Sequence, residues 1–203
     1  MQLYRRLYRH YGDLQWWPGD SPLEISVGAI LTQNTAWTNV EKAIQRLKEA
    51  RSLSVRVLSR LPHKKLARLI QPAGYFNVKA RRLKNFLSFL QHRYGGSLRK
   101  MFKQDSLRLR EELLSVNGIG PETADSILLY AGEKPVFVID AYTKRILSRH
   151  GILPYEESYD EFQELFVKQL PRSVTLYNQY HGMFVNIGKD FCRKRPLCAS
   201  CPL

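Results

Sequence analysis

LLSVNGIGPETADSILLYAGEKPVFVID, residues 113–140, decides how the rest of the chain is read. An amphipathic stretch leads into Gly118-Ile119-Gly120. Pro121 opens a second helix, with Ala124, Ile127, Leu128 and Ala131 spaced to share one face. A five-residue apolar run, Pro135 to Ile139, then ends abruptly in Asp140. The glycines permit backbone conformations closed to other residues and leave peptide N–H groups bare. Proline suits the first helical position, where its missing N–H had no partner in any case. Bare N–H groups at the positive end of a helix form an anion site, so the turn reads as a phosphate grip through Gly118, Ile119 and Gly120.

The charge balance agrees. The chain has 203 residues, with 32 lysines and arginines against 18 acids, for a net charge of +14. Such an excess points to a polyanionic partner, because each neutralised phosphate releases condensed counterions. The competing reading is a basic but inert surface. In this setting Gly-Ile-Gly between two apolar-faced helices is the helix-hairpin-helix pattern, which holds a DNA backbone without reading its sequence. No apolar run approaches the roughly 20 residues that span a bilayer. The N-terminus, MQLYRRLYRHYGDL, lacks the apolar core of a secretory signal. A cytoplasmic protein with no membrane partner is expected.

Outward from the hairpin, the apolar spacing is helical and no segment alternates convincingly, so the fold class is all-α. Leu23 to Leu31 forms an almost wholly apolar, central helix. A polar loop follows, Thr32 to Ala36, in which Gln33 and Asn34 offer flat amides to base edges. Residues 53–70 read as one or two helices. Lys79 to His92 is a basic amphipathic helix, whose Lys79, Arg81, Arg82 and Lys84 are read either as a solvated face or as phosphate contacts. Ala141 to His150, Glu156 to Leu170 and residues 173–190 complete the helices. Trp16 and Trp17 beside the Pro18-Gly19 turn cannot easily both face one core, so at least one is a candidate for lining a cleft. Asp140 is read two ways: as a helix N-cap, or as a carboxylate held at a helix N-terminus for chemistry. Cys192, Cys198 and Cys201 lie within the last twelve residues. That clustering argues for a metal or cluster site in a reducing compartment rather than a disulfide framework.

Taken together, Leu31-Thr32-Gln33, Gly74-Tyr75-Phe76-Asn77-Val78-Lys79-Ala80, the hairpin, Asp140 and the cysteine tail resemble the endonuclease III, or helix-hairpin-helix, superfamily of DNA glycosylases. The resemblance spans nearly the whole chain. It implies that Asp140, 20 residues after Gly120, is the essential carboxylate. It also implies a [4Fe–4S] cluster on Cys192, Cys198 and Cys201, with a fourth cysteine expected outside this sequence; zinc is the alternative, since thiolates suit both. Bifunctional members carry a lysine two residues after the last hairpin glycine, and it forms a Schiff base with the sugar. Here that position is Glu122, so lyase activity is expected to be absent or weak. A first-turn acid favouring the helix dipole is the plainer account of Glu122.

Trp16-Trp17-Pro18, Gly28 to Thr35, Pro72 to Asn77, Gly120-Pro121-Glu122-Thr123-Ala124-Asp125 and Tyr180-His181-Gly182 are similar to the 3-methyladenine DNA glycosylase III branch. That similarity implies Trp16 or Trp17, with Trp37, stacked on a flipped base, and Gln33 in the gap it leaves. It also implies duplex DNA holding an alkylated purine as partner. His181 reads as structural. The expected architecture is two helical lobes: a six-helix domain over 23–131, and a second lobe from 1–22 plus 132–203 ending in the cluster loop. Asp140 and Glu122 are expected to face a groove between them, in a monomer. Two other functions stay open: a glycosylase for a mismatched or deaminated base, and a damaged-DNA-binding protein without catalysis.

Overall fold

The computed structural model describes residues 1–14, 16 and 19–203. In chain order the helices are α1 (Gln2–Tyr11), α2 (Pro22–Leu31), α3 (Trp37–Glu49), α4 (Val55–Arg60), α5 (His63–Leu69), α6 (Phe76–Tyr94), α7 (Leu98–Phe102), α8 (Ser106–Leu114), α9 (Pro121–Ser126), α10 (Ala141–Arg149), α11 (Tyr159–Gln169) and α12 (Val174–Asp190). There is no β-strand among the described residues, as the apolar spacing predicts. The chain divides into two compact units: Gly19–Gly132, and Met1–Pro18 with Glu133–Leu203.

In the unit Gly19–Gly132, α2 is the central helix. Ser21 caps it by accepting from the Glu24 amide at 3.2 Å, and Pro22 occupies its first turn. Leu23, Glu24 and every residue from Ser26 to Leu31 are buried, so α2 needs neighbours all round. It packs against α3, α6, α9 and the turn that follows α9. Gly28 admits the Trp37 ring, since a Cβ there would lie 3.3 Å from the ring. The unit holds α2 to α9, more than the six helices expected, because the 53–70 and 97–126 stretches break into short pieces. Residues Thr123 to Ala131 are buried on every side rather than along one face. From Ile127 to Ala131 the helix widens into a π turn.

The second unit joins the two ends of the chain. Aromatic packing forms its core: Phe137 stacks on Phe166 with centroids 3.9 Å apart, and Tyr177, Tyr180 and Phe184 surround them edge-on or tilted. The residues Phe137 to Ile139 are buried within it. Their backbone is held by Gln163, whose amide donates to the Phe137 carbonyl, and by the Tyr159 hydroxyl, which accepts from the Ile139 amide at 3.1 Å. α11 starts at Tyr159 rather than at Glu156, because Ser158 and Glu161 form a capping box. α1 lies on α12, with Leu7 buried and Tyr4 edge-on to Tyr180 at 5.3 Å.

Candidate active site

The candidate residues fall on both units. In the unit Gly19–Gly132 the hairpin joins α8 to α9. Gly118 has φ +95°, and a Cβ there would overlap the Arg82 side chain. Arg110 on α8 clamps Asp125 on α9 through two bonds, Nε to Oδ1 at 2.7 Å and Nη2 to Oδ2 at 3.2 Å. Asp125 is fully buried, so this bidentate pair fixes the angle at which the two helices leave the turn. Among the described residues no acceptor takes the Gly118 or Gly120 amide, and Gly120 is the N-cap of α9.

Ile119 departs from the expected phosphate contact. Its side chain is 4% exposed and its amide donates to the Val116 carbonyl at 3.0 Å. It plugs the turn into the core, and the flanking glycines are left to face an anion. Lys79 departs further. It is 1% exposed, and its ammonium donates to the Leu31 carbonyl at 2.8 Å and the Ala73 carbonyl at 2.7 Å. It therefore caps the negative end of α2 and reaches no phosphate. Burial, helped by the Arg82 charge, brings its pKa down to about 8. Helical spacing placed Lys79 with the surface cations, but its turn of α6 faces the end of α2.

Gln33 is drawn onto the hairpin. Its amide nitrogen donates to the Gly118 carbonyl at 3.1 Å and the Thr123 hydroxyl at 2.8 Å, and its oxygen accepts from Arg82. Asn34 is exposed at the loop tip with φ +53°. Trp37 is half-buried against Gly28, and Glu122 is exposed in the first turn of α9. Tyr75, which lies in the family-resemblance stretch Gly74 to Ala80 but received no role of its own from the sequence, is 73% exposed with φ +44° at the start of α6. A surface aromatic held in so unfavourable a backbone conformation marks a place where function is to be sought.

In the second unit Asp140 caps α10. Its Oδ1 accepts from the Thr143 amide at 2.7 Å and the Thr143 hydroxyl at 2.8 Å. Its Oδ2 lies 3.6 Å from His181 Nε2 on α12. Asp140 is 8% exposed and His181 3%. Burial alone would raise the Asp140 pKa, yet the nearby His181 imidazole and the Thr143 donors outweigh it and the net direction is down. The carboxylate is thus anionic at neutral pH. His181 belongs in the candidate set; the signal was its stretch, Tyr180-His181-Gly182, but nothing local tied it to Asp140. Next to it, Gly182 receives Trp16, whose Cγ would stand 2.6 Å from a Cβ there. Trp16 is therefore packed against α12, where Lys189 Nζ lies 5.7 Å from its ring centre, while its Nε1 is buried without an acceptor among the described residues. Trp17 lies outside the described residues.

Residues 27–172 match the HhH-GPD superfamily of base excision DNA repair proteins. The chain belongs to this family. A Methanocaldococcus jannaschii protein, assigned provisionally as a DNA repair glycosylase, is 48% identical over 204 residues, covering 100% of this chain and 92% of its own. A thymine/uracil-DNA glycosylase of Pyrobaculum aerophilum is 28% identical, over 97% of this chain and 84% of its own. The crystal structure of Helicobacter pylori 3-methyladenine DNA glycosylase bound to 1,N6-ethenoadenine superposes with TM-score 0.82 at 29% identity, over 93% of this chain and 96% of that one. The HhH-GPD assignment makes the chain a member of a base excision repair glycosylase family. No helix among the described residues is long and apolar enough to cross a membrane.

The cysteines of this HhH-GPD chain are not drawn together. All three thiols are free, Cys198 exposed and the others half-buried. Among the described residues no group of three His, Cys, Asp or Glu side chains could hold a metal. A cubane takes four thiolates, so three cysteines do not complete its cage. The loop is nonetheless anchored: Arg145 donates to the Cys192 carbonyl at 2.8 Å, and Arg149 to the Cys192 sulfur at 3.3 Å.

Proposed function

We propose that the protein is a monofunctional DNA glycosylase that removes a damaged base, an alkylated purine first among the candidates. The observation that carries this reading is the buried Asp140 carboxylate, kept ionised between Thr143 and His181. Cleavage breaks the bond between sugar C1′ and the base nitrogen. The electron pair leaves with the base, positive charge builds on the sugar, and water then adds to C1′ and loses its proton. An anion fixed beforehand stabilises that charge without reorganising. A carboxylate whose pKa lies below its usual value is a poor proton donor, so charge stabilisation and water orientation are the roles it fits.

Glu122 supports the absence of a lyase step, since a carboxylate cannot form a Schiff base. Lys144, the nearest lysine to Asp140 in sequence, is engaged: its Nζ donates to the Glu157 carbonyl at 2.6 Å and sits 4.9 Å from the Phe162 ring centre. An N-alkylated purine carries positive charge and leaves readily, and half-buried tryptophans suit a cationic ring. The likeness to the H. pylori enzyme supports that choice. The likeness to the thymine/uracil enzyme supports a second reading, a deaminated or mismatched pyrimidine. Single-turnover assays on duplexes holding 3-methyladenine, ethenoadenine, hypoxanthine, uracil or thymine opposite guanine separate the two. Release of a base without strand cleavage or borohydride trapping is expected; no release from any substrate overturns the proposal. We further read Cys192, Cys198 and Cys201 as three of the four ligands of an iron–sulfur cluster on the resemblance of the loop alone, since the thiols form no metal-holding group among the described residues; iron and sulfide analysis and visible absorption check it.

A further inference from the structure

Between Glu49 and Asp105 the chain contains fourteen lysines and arginines and no acid. Outside that stretch, eighteen cations face eighteen acids. The net charge of +14 therefore belongs to one quarter of the chain, and that quarter is α4 to α7. Lys79 and Lys84 are engaged with internal carbonyls, and Arg93 pairs with Glu112. Arg56, Arg60, Lys64, Lys65, Arg68 and Arg81 are different: all six are exposed. None of them makes an ion pair among the described residues.

Their spacing is unfavourable for an isolated surface. Arg56 and Arg60 stand one turn apart on α4, and Lys64 and Arg68 one turn apart on α5. Like charges at that spacing repel and weaken short helices. Polyanion binding removes the repulsion. The three helices are also joined. Lys84 on α6 holds the last turn of α4 through the Leu58 and Ser59 carbonyls, at 2.8 Å each. The His63 ring of α5 lies 3.1 Å from the Asn77 carbonyl of α6. Between α5 and the start of α6 is a groove of about 250 Å3 lined by Lys64, Arg68, Gln71, Phe76 and Asn77. Further along α6, Arg82 packs along Gly118 and Asn85 donates to the Asn117 carbonyl at 2.9 Å. α6 thus runs from the cations of α5 to the hairpin.

We propose that α4, α5 and the first turns of α6 form a second backbone track, which binds duplex DNA flanking the base being handled. The hairpin offers a few peptide N–H groups at one point. The track adds mobile cations over several more phosphates, and contributes affinity for undamaged duplex without reading sequence. This inference rests on membership in a DNA-repair family and not on the lesion or on Asp140.

The test uses the full chain with Arg60, Lys64, Lys65 and Arg68 all changed to Ala. A control changes Arg5, Arg6, Arg9 and Arg172 to Ala, four exposed cations of the other unit. Binding to undamaged duplexes of about 10 and 25 base pairs is measured from 50 to 200 mM salt, with circular dichroism confirming the folds. At about 0.9 per phosphate contact, the slope of log affinity against log salt should fall by about 3 to 4 on the long duplex. The short duplex and the control should change far less. Equal slopes for wild type and track variant overturn the proposal. So does an equal loss in the control, which would assign the effect to bulk charge, and so does an equal loss on both duplex lengths. No arm requires base release, so failure of the glycosylase reading would show separately.

Discussion

Asp140 serves two purposes with its two oxygens. One ties down the Thr143 amide and hydroxyl and so starts α10; the other faces His181. Asn caps helices as well as Asp. Asp140→Asn is therefore expected to keep the melting temperature within a few degrees while slowing single-turnover base release by about 10² to 10³, the usual loss when one fixed electrostatic partner of a transition state is removed. His181 separates from Asp140 by pH. Its ring beside the carboxylate is among the effects that lower the carboxyl pKa, against the burial that raises it. In His181→Ala that lowering is lost, so the acid limb of the rate profile and the carbon-13 titration of the Asp140 carboxyl should both move to higher pH. Asp140 stabilises the fold above the pKa it has when unfolded, and that contribution is lost as pH falls through the folded value; in the variant the loss should begin at higher pH. An unmoved titration would show that His181 only fills space. Lys79 shifts in the same direction, here because burial disfavours its charged form. With its pKa near 8, the folded chain releases this proton before the unfolded chain does, so wild type should gain stability relative to Lys79→Met as pH rises from about 8 toward 10. At neutral pH Lys79→Met strands two buried carbonyls, at a cost of about 1–3 kcal/mol each. The salt slope of DNA binding should not change.

At the level of elements, the hairpin is the part most legible in sequence. Gly-x-Gly-Pro is a local pattern, and its reason is local too, since only glycine takes φ +95° at position 118 without strain. What closes the hairpin is not local. Arg82 lies along Gly118, Gln33 holds its carbonyl and the Thr123 hydroxyl, and Arg110 holds Asp125. Gly118→Ala should therefore weaken binding to undamaged duplex at least tenfold while leaving the Asp140 titration unchanged. Arg110→Ala abandons a fully buried carboxylate and should destabilise the fold by about 3–5 kcal/mol, read from denaturant midpoints. α6 shows why the apolar stripe found the helix but misplaced a side chain. Periodicity separates the two faces of a helix, yet Lys79 sits where the end of another helix supplies carbonyls, and that neighbour lies far away in sequence.

At the scale of the molecule, the unit containing Asp140 is built from both ends of the chain. The Leu14 amide donates to Gln179 Oε1 at 3.1 Å, and Tyr11 donates to Asp190 at 3.0 Å. Removing residues 1–12 strips Tyr4 and Leu7 from α12. At about 1.5–3 kcal/mol for each large apolar side chain, the melting temperature should drop by many degrees. The sequence by itself determined the helical class, the hairpin, the glycine–proline punctuation and the charge, because spacing, turn chemistry and composition need no partner. It also supplied the positions of Asp140 and Glu122 relative to the hairpin. Only the tertiary structure decided that Lys79 and Ile119 turn inward, that Gln33 braces the hairpin, and that His181 stands beside Asp140. Those outcomes depend on which distant segments meet, and burial and pairing are properties of the meeting rather than of either segment.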